Sequence, residues 1–233
     1  MKKVNEFFDN IFNYTSGYNF GFLAFIIGYS GIYLALLISA LMGEYIMWEE
    51  SISVLGLVAG GPYLRVGLIS SYILAIPFII YLGRLLKNEN INENLRKITI
   101  VVSIFSSITA VLTGIFSGIN EFISSLHGLF ALLSWIGGAI ACSLFGCLML
   151  KNPKFSKSII YFNFIIAGIF VSYLIPFFIT NFCDCFSEIC YSFGRAIYTI
   201  MPIYEWTVMF SILIWYFGNA TYLLNNKSIT VND

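Results

Sequence analysis

The chain carries very little charge for its length. Only 10% of its 233 residues are Asp, Glu, Lys or Arg, while 59% are hydrophobic. Soluble domains contain about 25% charged residues, and a soluble globule needs polar groups over much of its surface. The low charge therefore excludes an ordinary soluble domain and indicates an integral membrane protein. The formal net charge is zero, which removes the electrostatic basis for binding nucleic acid.

Histidine is almost absent, since His127 is the only one in the chain. Metal-dependent hydrolases of membrane lipids use several histidines as ligands, so this shortage argues against that class of enzyme. A zinc site that combines His127 with cysteines 183–190 is also disfavoured, because these residues have no recognised ligand spacing. The sequence implies no cofactor.

Long uncharged runs are the main positive feature. Each has the length of about 20 residues that a helix needs to cross a bilayer. They cover residues 20–42, 66–86, 98–118, 128–150, 159–180 and 203–224. We predict an all-α integral membrane protein, a bundle of six transmembrane helices that forms one domain over residues 1–233. Residues 1–19 would lie at the membrane interface, and residues 225–233 would form a cytoplasmic tail.

The basic residues lie mostly on one side of this predicted bundle. Ten of the twelve fall on the side of the two termini, and only Arg65 and Arg195 fall on the other. Cytoplasmic segments of membrane proteins carry most of the Lys and Arg. We therefore expect both termini in the cytoplasm and the protein in the plasma membrane. The connections after spans one, three and five would then face outward.

The outer connections after spans one and five, residues 43–65 and 181–202, are long and largely apolar. Free loops of this composition would leave apolar side chains in water, so we predict ordered loops that fold back over the helix ends. Cys183, Cys185 and Cys190 lie in the second loop. One disulfide from Cys183 or Cys185 to Cys190 is predicted in an oxidising compartment. A thiol oxidase is disfavoured, because these cysteines lack the Cys-x-x-Cys spacing.

The hairpin formed by spans three and four has small residues at four-residue spacing on both arms. Such rows let helix backbones approach closely inside a membrane, so we predict that this hairpin is the packing centre. The rows are Ser106, Ala110, Gly114 and Gly118 on one arm, and Ser134, Gly138, Cys142 and Gly146 on the other. Cys142 and Cys147 are expected to act as small apolar residues.

Six ionisable residues lie at the outer ends of the spans: Glu44, Arg65, Glu121, His127, Arg195 and Glu205. Charges near hydrocarbon are costly unless they are paired, so Arg65 or Arg195 is expected to pair with Glu121 or Glu205. One interpretation is a network that fixes the loops. The other is a ligand-binding pocket for a polar head group, with an arginine that binds its anion.

Three short motifs carry a resemblance to a known family: residues 52–56 (ISVLG) with 61–62 (GP), residues 125–128 (SLHG), and residues 204–206 (YEW). The chain resembles the DUF 998 family and the related DRAM-type (damage-regulated autophagy modulator-like) families, although Val54 stands where an Asp is common. The resemblance implies a six-span membrane protein, with some relatives linked to phospholipid or glycolipid handling. Ser53 joins the expected ligand-binding residues on this basis.

The sequence leaves three functions open. The first is a non-catalytic protein that binds membrane lipids, a membrane-protein partner or a second copy of itself through an outer-face pocket. The second is a lipid-modifying enzyme in which His127 acts as a base with Glu121 or Glu205. The third is a small-solute transporter with inverted halves, suggested by the similar segments 21–31 and 128–138. Transporters that are coupled to ions usually have a charged residue at mid-span, and no run has one.

Overall fold

The computed structural model describes residues 2–117, 120–183, 197 and 199–226. Within these ranges eight α-helices have defined bounds, and no residue is in a β-strand. The helices are α1 (Lys2–Tyr14), α2 (Tyr18–Leu41), α3 (Ile52–Leu55), α4 (Gly61–Leu85), α5 (Glu93–Ile115), α6 (Glu121–Leu150), α7 (Lys157–Cys183) and α8 (Met201–Asn225).

Six of these helices, α2 and α4 to α8, are long and apolar enough to cross a membrane. Each exposes large apolar side chains on its outer surface, where lipid would contact them. Examples, one from each helix, are 45% to 67% exposed: Ile26, Val66, Val101, Ile140, Ile165 and Ile214. The prediction of an all-α, six-span bundle is confirmed, and the chain is a multi-pass membrane protein.

The six spanning helices form a closed ring. Each packs against its neighbours in the chain, and α8 completes the ring by packing against α2. Buried aromatic side chains fill the centre, where the Trp215 ring of α8 contacts Phe78 of α4 and Phe145 of α6. Through Trp215, α8 therefore also contacts α4 and α6, which are not its neighbours in the ring.

The backbones of α2 and α4 approach each other closely. A Cβ atom placed on Gly31 would lie 2.6 Å from the Gly67 Cα atom, and the reverse substitution would meet the same obstacle. One turn away, the Ser71 hydroxyl donates to the Ala24 carbonyl oxygen at 2.7 Å. Helices α2 and α4 are therefore in direct backbone contact.

The small residues of α5 and α6 face several partners. Between the two arms, the Ser106 hydroxyl donates to the Ser134 carbonyl oxygen at 2.8 Å. However, Gly138 and Gly146 receive phenylalanine rings of α7, and Gly114 faces Ile69 of α4. The two rows thus let α4, α7 and the opposite arm of the hairpin approach, and the role of the hairpin as packing centre stays a prediction.

A buried polar network sits between α7 and α8. The Trp215 indole N–H donates to the Asn163 side-chain oxygen at 2.7 Å. The Asn163 amide donates to the Ile159 carbonyl oxygen, and the Asn219 amide donates to the Trp215 carbonyl oxygen. These bonds satisfy side chains that would otherwise be unpaired in hydrocarbon.

Helix α1 and the end of α8 lie at the same end of the bundle. Asp9 of α1 forms an ion pair with Arg84 near the end of α4, and the Phe12 ring packs on Tyr81. The Tyr222 hydroxyl near the end of α8 contacts the Lys154 carbonyl oxygen in the α6–α7 connection. We call this the terminal end and the opposite one the α3 end.

Replacing Gly31 by Ala should destabilise the protein, because the new methyl group meets the backbone of α4. Overpacking of this kind costs about 1–3 kcal/mol, measurable as a lower midpoint of thermal unfolding in mild detergent. Gly168→Ala is the matched control, since a Cβ there meets nothing within 4 Å. Equal midpoints for the two variants would contradict the α2–α4 contact.

Candidate functional site

The connection between α2 and α4 is ordered and folds back over the α3 end. The Glu44 carboxylate accepts a hydrogen bond from the Ala59 N–H at 2.9 Å, which brings the two ends of the loop together. The Gly60 N–H donates to the buried Ser39 hydroxyl at 3.1 Å. Apolar loop residues such as Leu55 of α3 are fully buried. The predicted ordered loop after span one is confirmed, whereas most of residues 181–202 lie outside the described residues.

Helix α8 anchors this loop through an aromatic pair. The Trp206 indole N–H donates to the Tyr45 hydroxyl at 3.1 Å. The Tyr45 hydroxyl in turn donates to the Glu50 carbonyl oxygen at 2.8 Å. Burial raises the pKa of the Tyr45 phenol, which keeps it a neutral donor. These bonds fix the position of residues 45–50, which precede α3, relative to α8.

Glu205 provides the second anchor from α8. One carboxylate oxygen accepts a hydrogen bond from the Ile52 N–H at 3.0 Å, at the first residue of α3. The other accepts from the Tyr173 hydroxyl of α7 at 3.3 Å. Both oxygens of Glu205 are engaged in holding α3 and α7, so this carboxylate acts as a structural clamp.

A cavity lies beneath α3, between α4, α5, α6 and α8. It contains about 670 Å³ of space not filled by protein atoms, its open mouth included. Most of its wall is apolar, and its polar groups come from α3 and from all four of these helices. The apolar lining includes Leu64, Leu68, Ala110, Ala131, Trp135 and Met209, and the polar lining includes Ser53, Arg65, Thr113, Ser117, His127, Ser134 and Glu205.

His127 joins α3 to α5 across this cavity. Its Nδ1 atom lies 2.8 Å from the Thr113 carbonyl oxygen, and its Nε2 atom lies 2.9 Å from the Ser53 hydroxyl. A carbonyl oxygen only accepts, so Nδ1 carries the proton in the neutral imidazole. The Nε2 atom is then the acceptor, and the Ser53 hydroxyl donates to it.

Arg65 lies on the cavity wall, and no side chain in the described part of the chain pairs with it. Its side chain is half-buried near the start of α4, and no ion pair or hydrogen bond joins it to any residue that the structure describes. The expected pairing of Arg65 with Glu121 or Glu205 is therefore wrong. Glu205 is occupied by α3 and α7, and Glu121 is exposed in the first turn of α6.

The structure brings four of the six predicted ligand-binding residues to one cavity: Ser53, Arg65, His127 and Glu205. Glu121 is not among its lining residues, and Arg195 lies outside the described residues. His127 also bonds to neither Glu121 nor Glu205, because Ser53 and Thr113 occupy both of its nitrogen atoms. A base paired with a carboxylate is therefore not what the geometry presents.

The cysteines contribute no described site. Cys142 is buried, but Cys147 is exposed on the surface of α6 and does not pack in the core. Cys185 and Cys190, with the predicted disulfide, lie outside the described residues, and Cys183 ends α7. Over the described ranges, His, Cys, Asp and Glu form no cluster of three that could hold a metal ion.

Sequence reasoning missed the partners of the key side chains. The carbonyl group of Thr113 and the backbone N–H of Ile52 have no side-chain signature, so nothing in the residue types points to them. Tyr173 is one of 15 tyrosines. Its hydroxyl donates to Glu205 only because α7 packs against α8. Only the pairing of Ser53 with His127 had a signal, since both residues fall in short motifs.

Comparisons with protein families, characterised proteins and solved structures find no match for this chain.

Glu205→Ala should loosen α3, because the Ile52 N–H loses its acceptor. Hydrogen–deuterium exchange by mass spectrometry should show faster exchange for peptides that cover residues 46–60. Glu49→Ala is the control, since the side chain of Glu49 makes no hydrogen bond or ion pair with a described residue. Equal exchange in the two variants would refute the clamp.

Proposed function

We propose that this multi-pass membrane protein binds an anionic amphiphile, most simply an acidic membrane lipid, in the cavity beneath α3. The observation that carries the proposal is Arg65, a cation that has no partner among the described residues and lies on the wall of a largely apolar cavity. A charge held close to hydrocarbon without a partner is costly. An anionic group on a ligand would remove this cost.

The apolar lining of the cavity is suited to the alkyl chain of the proposed ligand. The wall beside Arg65 includes Leu64 and Leu68 of the same helix, and Trp135 and Met209 lie deeper in the bundle. An alkyl chain in the cavity would make van der Waals contacts with this wall. Because the chain would come from a membrane that is itself apolar, these contacts would supply most of its binding energy.

The polar groups are suited to a head group such as a phosphate or carboxylate. Arginine binds both in a bidentate manner through its planar guanidinium group. Ser53 is exposed and His127 is half-buried at the same cavity, and both are able to bond a polar ligand. One cation with neutral donors is sufficient for a single anionic group.

The membrane placement is part of the proposal. The positive-inside distribution supports the plasma membrane with both termini in the cytoplasm, so the α3 end would face outward and the cavity would receive lipid from the outer leaflet. The three motifs support kinship with the DUF 998 and DRAM-type families, some of which are linked to lipid handling. A protein partner at the same face is the alternative that a mass measurement distinguishes.

Arg65→Gln should lower the amount of anionic lipid that co-purifies. A hydrogen bond to a charged group contributes about 1.5–3 kcal/mol, so retention should fall about tenfold or more. Native mass spectrometry in mild detergent measures the bound lipid directly. Lys157→Gln is the control, because it removes one exposed positive charge at the terminal end.

The anion-binding role of Arg65 would be refuted if both variants retained the same anionic lipid as the unaltered protein. A bound polypeptide in place of a lipid mass would favour the partner-protein alternative.

Ala131→Phe should abolish lipid retention by filling the cavity while Arg65 stays in place. Ala131 lines the cavity, and a benzyl group there would occupy the space proposed for the alkyl chain. Gly128→Phe is the matched control on the same helix, since a side chain at Gly128 points into open space. If Ala131→Phe bound lipid as the control does, the ligand would not sit in this cavity.

A further inference from the structure

Ser53 and His127 form a hydrogen-bonded pair whose protonation is fixed by a third group. The Thr113 carbonyl oxygen holds the proton on Nδ1, at 2.8 Å. The Nε2 atom therefore presents its lone pair to the Ser53 hydroxyl, at 2.9 Å. A hydroxyl group that donates to an oriented, neutral imidazole is the arrangement that activates serine as a nucleophile.

We propose that Ser53 is the nucleophile of an acyl-transfer reaction on the bound amphiphile, with His127 as its general base and acid. This inference rests on the proposed function for its substrate class, an ester that joins an acyl chain to a polar head group. It departs from the hypothesis of a histidine–carboxylate pair, since a backbone carbonyl group orients the imidazole.

The position of Ser53 in the cavity matches the position of the ester group in such a substrate. The carbonyl carbon of an acyl ester lies between the apolar chain and the polar head group. Ser53 likewise lies on a wall shared by the cation Arg65 and by apolar residues such as Leu68 and Trp135. Its side chain is exposed, so a substrate is able to reach the hydroxyl oxygen.

The first half of the reaction forms an acyl-enzyme. His127 Nε2 takes the hydroxyl proton as Ser53 Oγ attacks the carbonyl carbon. The bond between that carbon and the alcohol oxygen breaks, and His127 returns the proton to the departing alkoxide. The positive charge of Arg65 at the same cavity would stabilise negative charge that develops on the substrate.

The second half uses water as the co-substrate. His127 Nε2 takes a proton from water as the water oxygen attacks the carbonyl carbon of the acylated Ser53. The bond to Ser53 Oγ breaks, and the proton returns to that oxygen. The products are a free carboxylic acid and the unmodified enzyme, so one ester bond is hydrolysed in each turnover.

A fluorophosphonate probe tests this chemistry, because an activated serine displaces its fluoride and keeps the phosphonyl group. The full-length protein in mild detergent is incubated with the probe, digested, and mapped by mass spectrometry. The expected result is a mass increase on the peptide that contains Ser53, absent in Ser53→Ala. Mapping the label on the unaltered chain requires no variant, so the result does not depend on how a variant folds.

Two further variants test whether Ser53 is labelled because His127 activates its hydroxyl or only because the hydroxyl is exposed. His127→Gln keeps a donor for the Thr113 carbonyl oxygen but has no basic nitrogen, so labelling should slow about 100-fold or more. Ser125→Ala removes another exposed serine of the same bundle end, whose hydroxyl bonds to the Glu121 carbonyl oxygen, and should leave labelling unchanged. Absence of label at Ser53, or equal rates with His127→Gln, would overturn the inference.

Lipid retention by the same samples distinguishes this inference from the proposed function. Ser53→Ala should still bind the anionic lipid, because Arg65 and the apolar wall remain. Bound lipid without labelling would overturn the serine chemistry and leave the binding function intact. Labelling of Ser53 in a protein that retains no anionic lipid would support the nucleophile and refute the proposed binding function.

Discussion

Hydrogen bonding at the edge of the hydrocarbon is the constraint on which the α3 end depends. Polar groups there have few water molecules available, so each must find a partner within the protein. Glu205 meets this requirement for the Ile52 N–H, and Trp206 meets it for the Tyr45 hydroxyl. Both partners come from the first turns of α8, the last helix of the ring. The position of α3, and with it the position of Ser53, therefore follows from the closure of the bundle.

Arg65 is the exception to this rule, and the exception carries the functional argument. The carboxylate and the imidazole that line its cavity are already bonded: Glu205 to α3 and α7, and His127 to Ser53 and Thr113. The cavity therefore combines a cation with no partner among the described residues, a hydrogen-bonded serine–histidine pair and an apolar wall. These three features correspond to the anion, the ester and the chain of an acylated amphiphile, so binding and hydrolysis would use the same site.

The bundle itself is held by close packing and by internal polar bonds. Apolar side chains gain little by leaving lipid for the protein interior, so helix association relies on shape and hydrogen bonds. Gly31 and Gly67 let α2 and α4 touch through their backbones. Asn163 of α7 bonds to Trp215 and Asn219 of α8, and these bonds would be lost if α7 and α8 separated. The cavity lies at the α3 end of the bundle, where α3 covers the space between the surrounding helices.

Composition and the length of the apolar runs were sufficient to determine six spanning helices, because crossing hydrocarbon requires about 20 residues with internally bonded backbone. The apolar character of residues 43–65 was sufficient to predict an ordered loop. Four of the six predicted ligand-binding residues do meet at one cavity, because ionisable residues at span ends turn towards the protein. To this extent the sequence by itself determined the fold and the neighbourhood of the site.

The partners within that neighbourhood were decided by the tertiary structure alone. Charge favoured a pair between Arg65 and Glu205, yet Glu205 bonds to a backbone N–H that lies 153 residues away in the chain. Charge also favoured a carboxylate beside His127, yet its partners are a serine 74 residues away and a carbonyl group. Backbone donors and acceptors are identical at nearly every residue, so their use leaves no mark in the sequence. The same limit applies to the contact between Gly31 of α2 and Gly67 of α4: small residues occur on several helices, and only the assembled ring selects which of them meet.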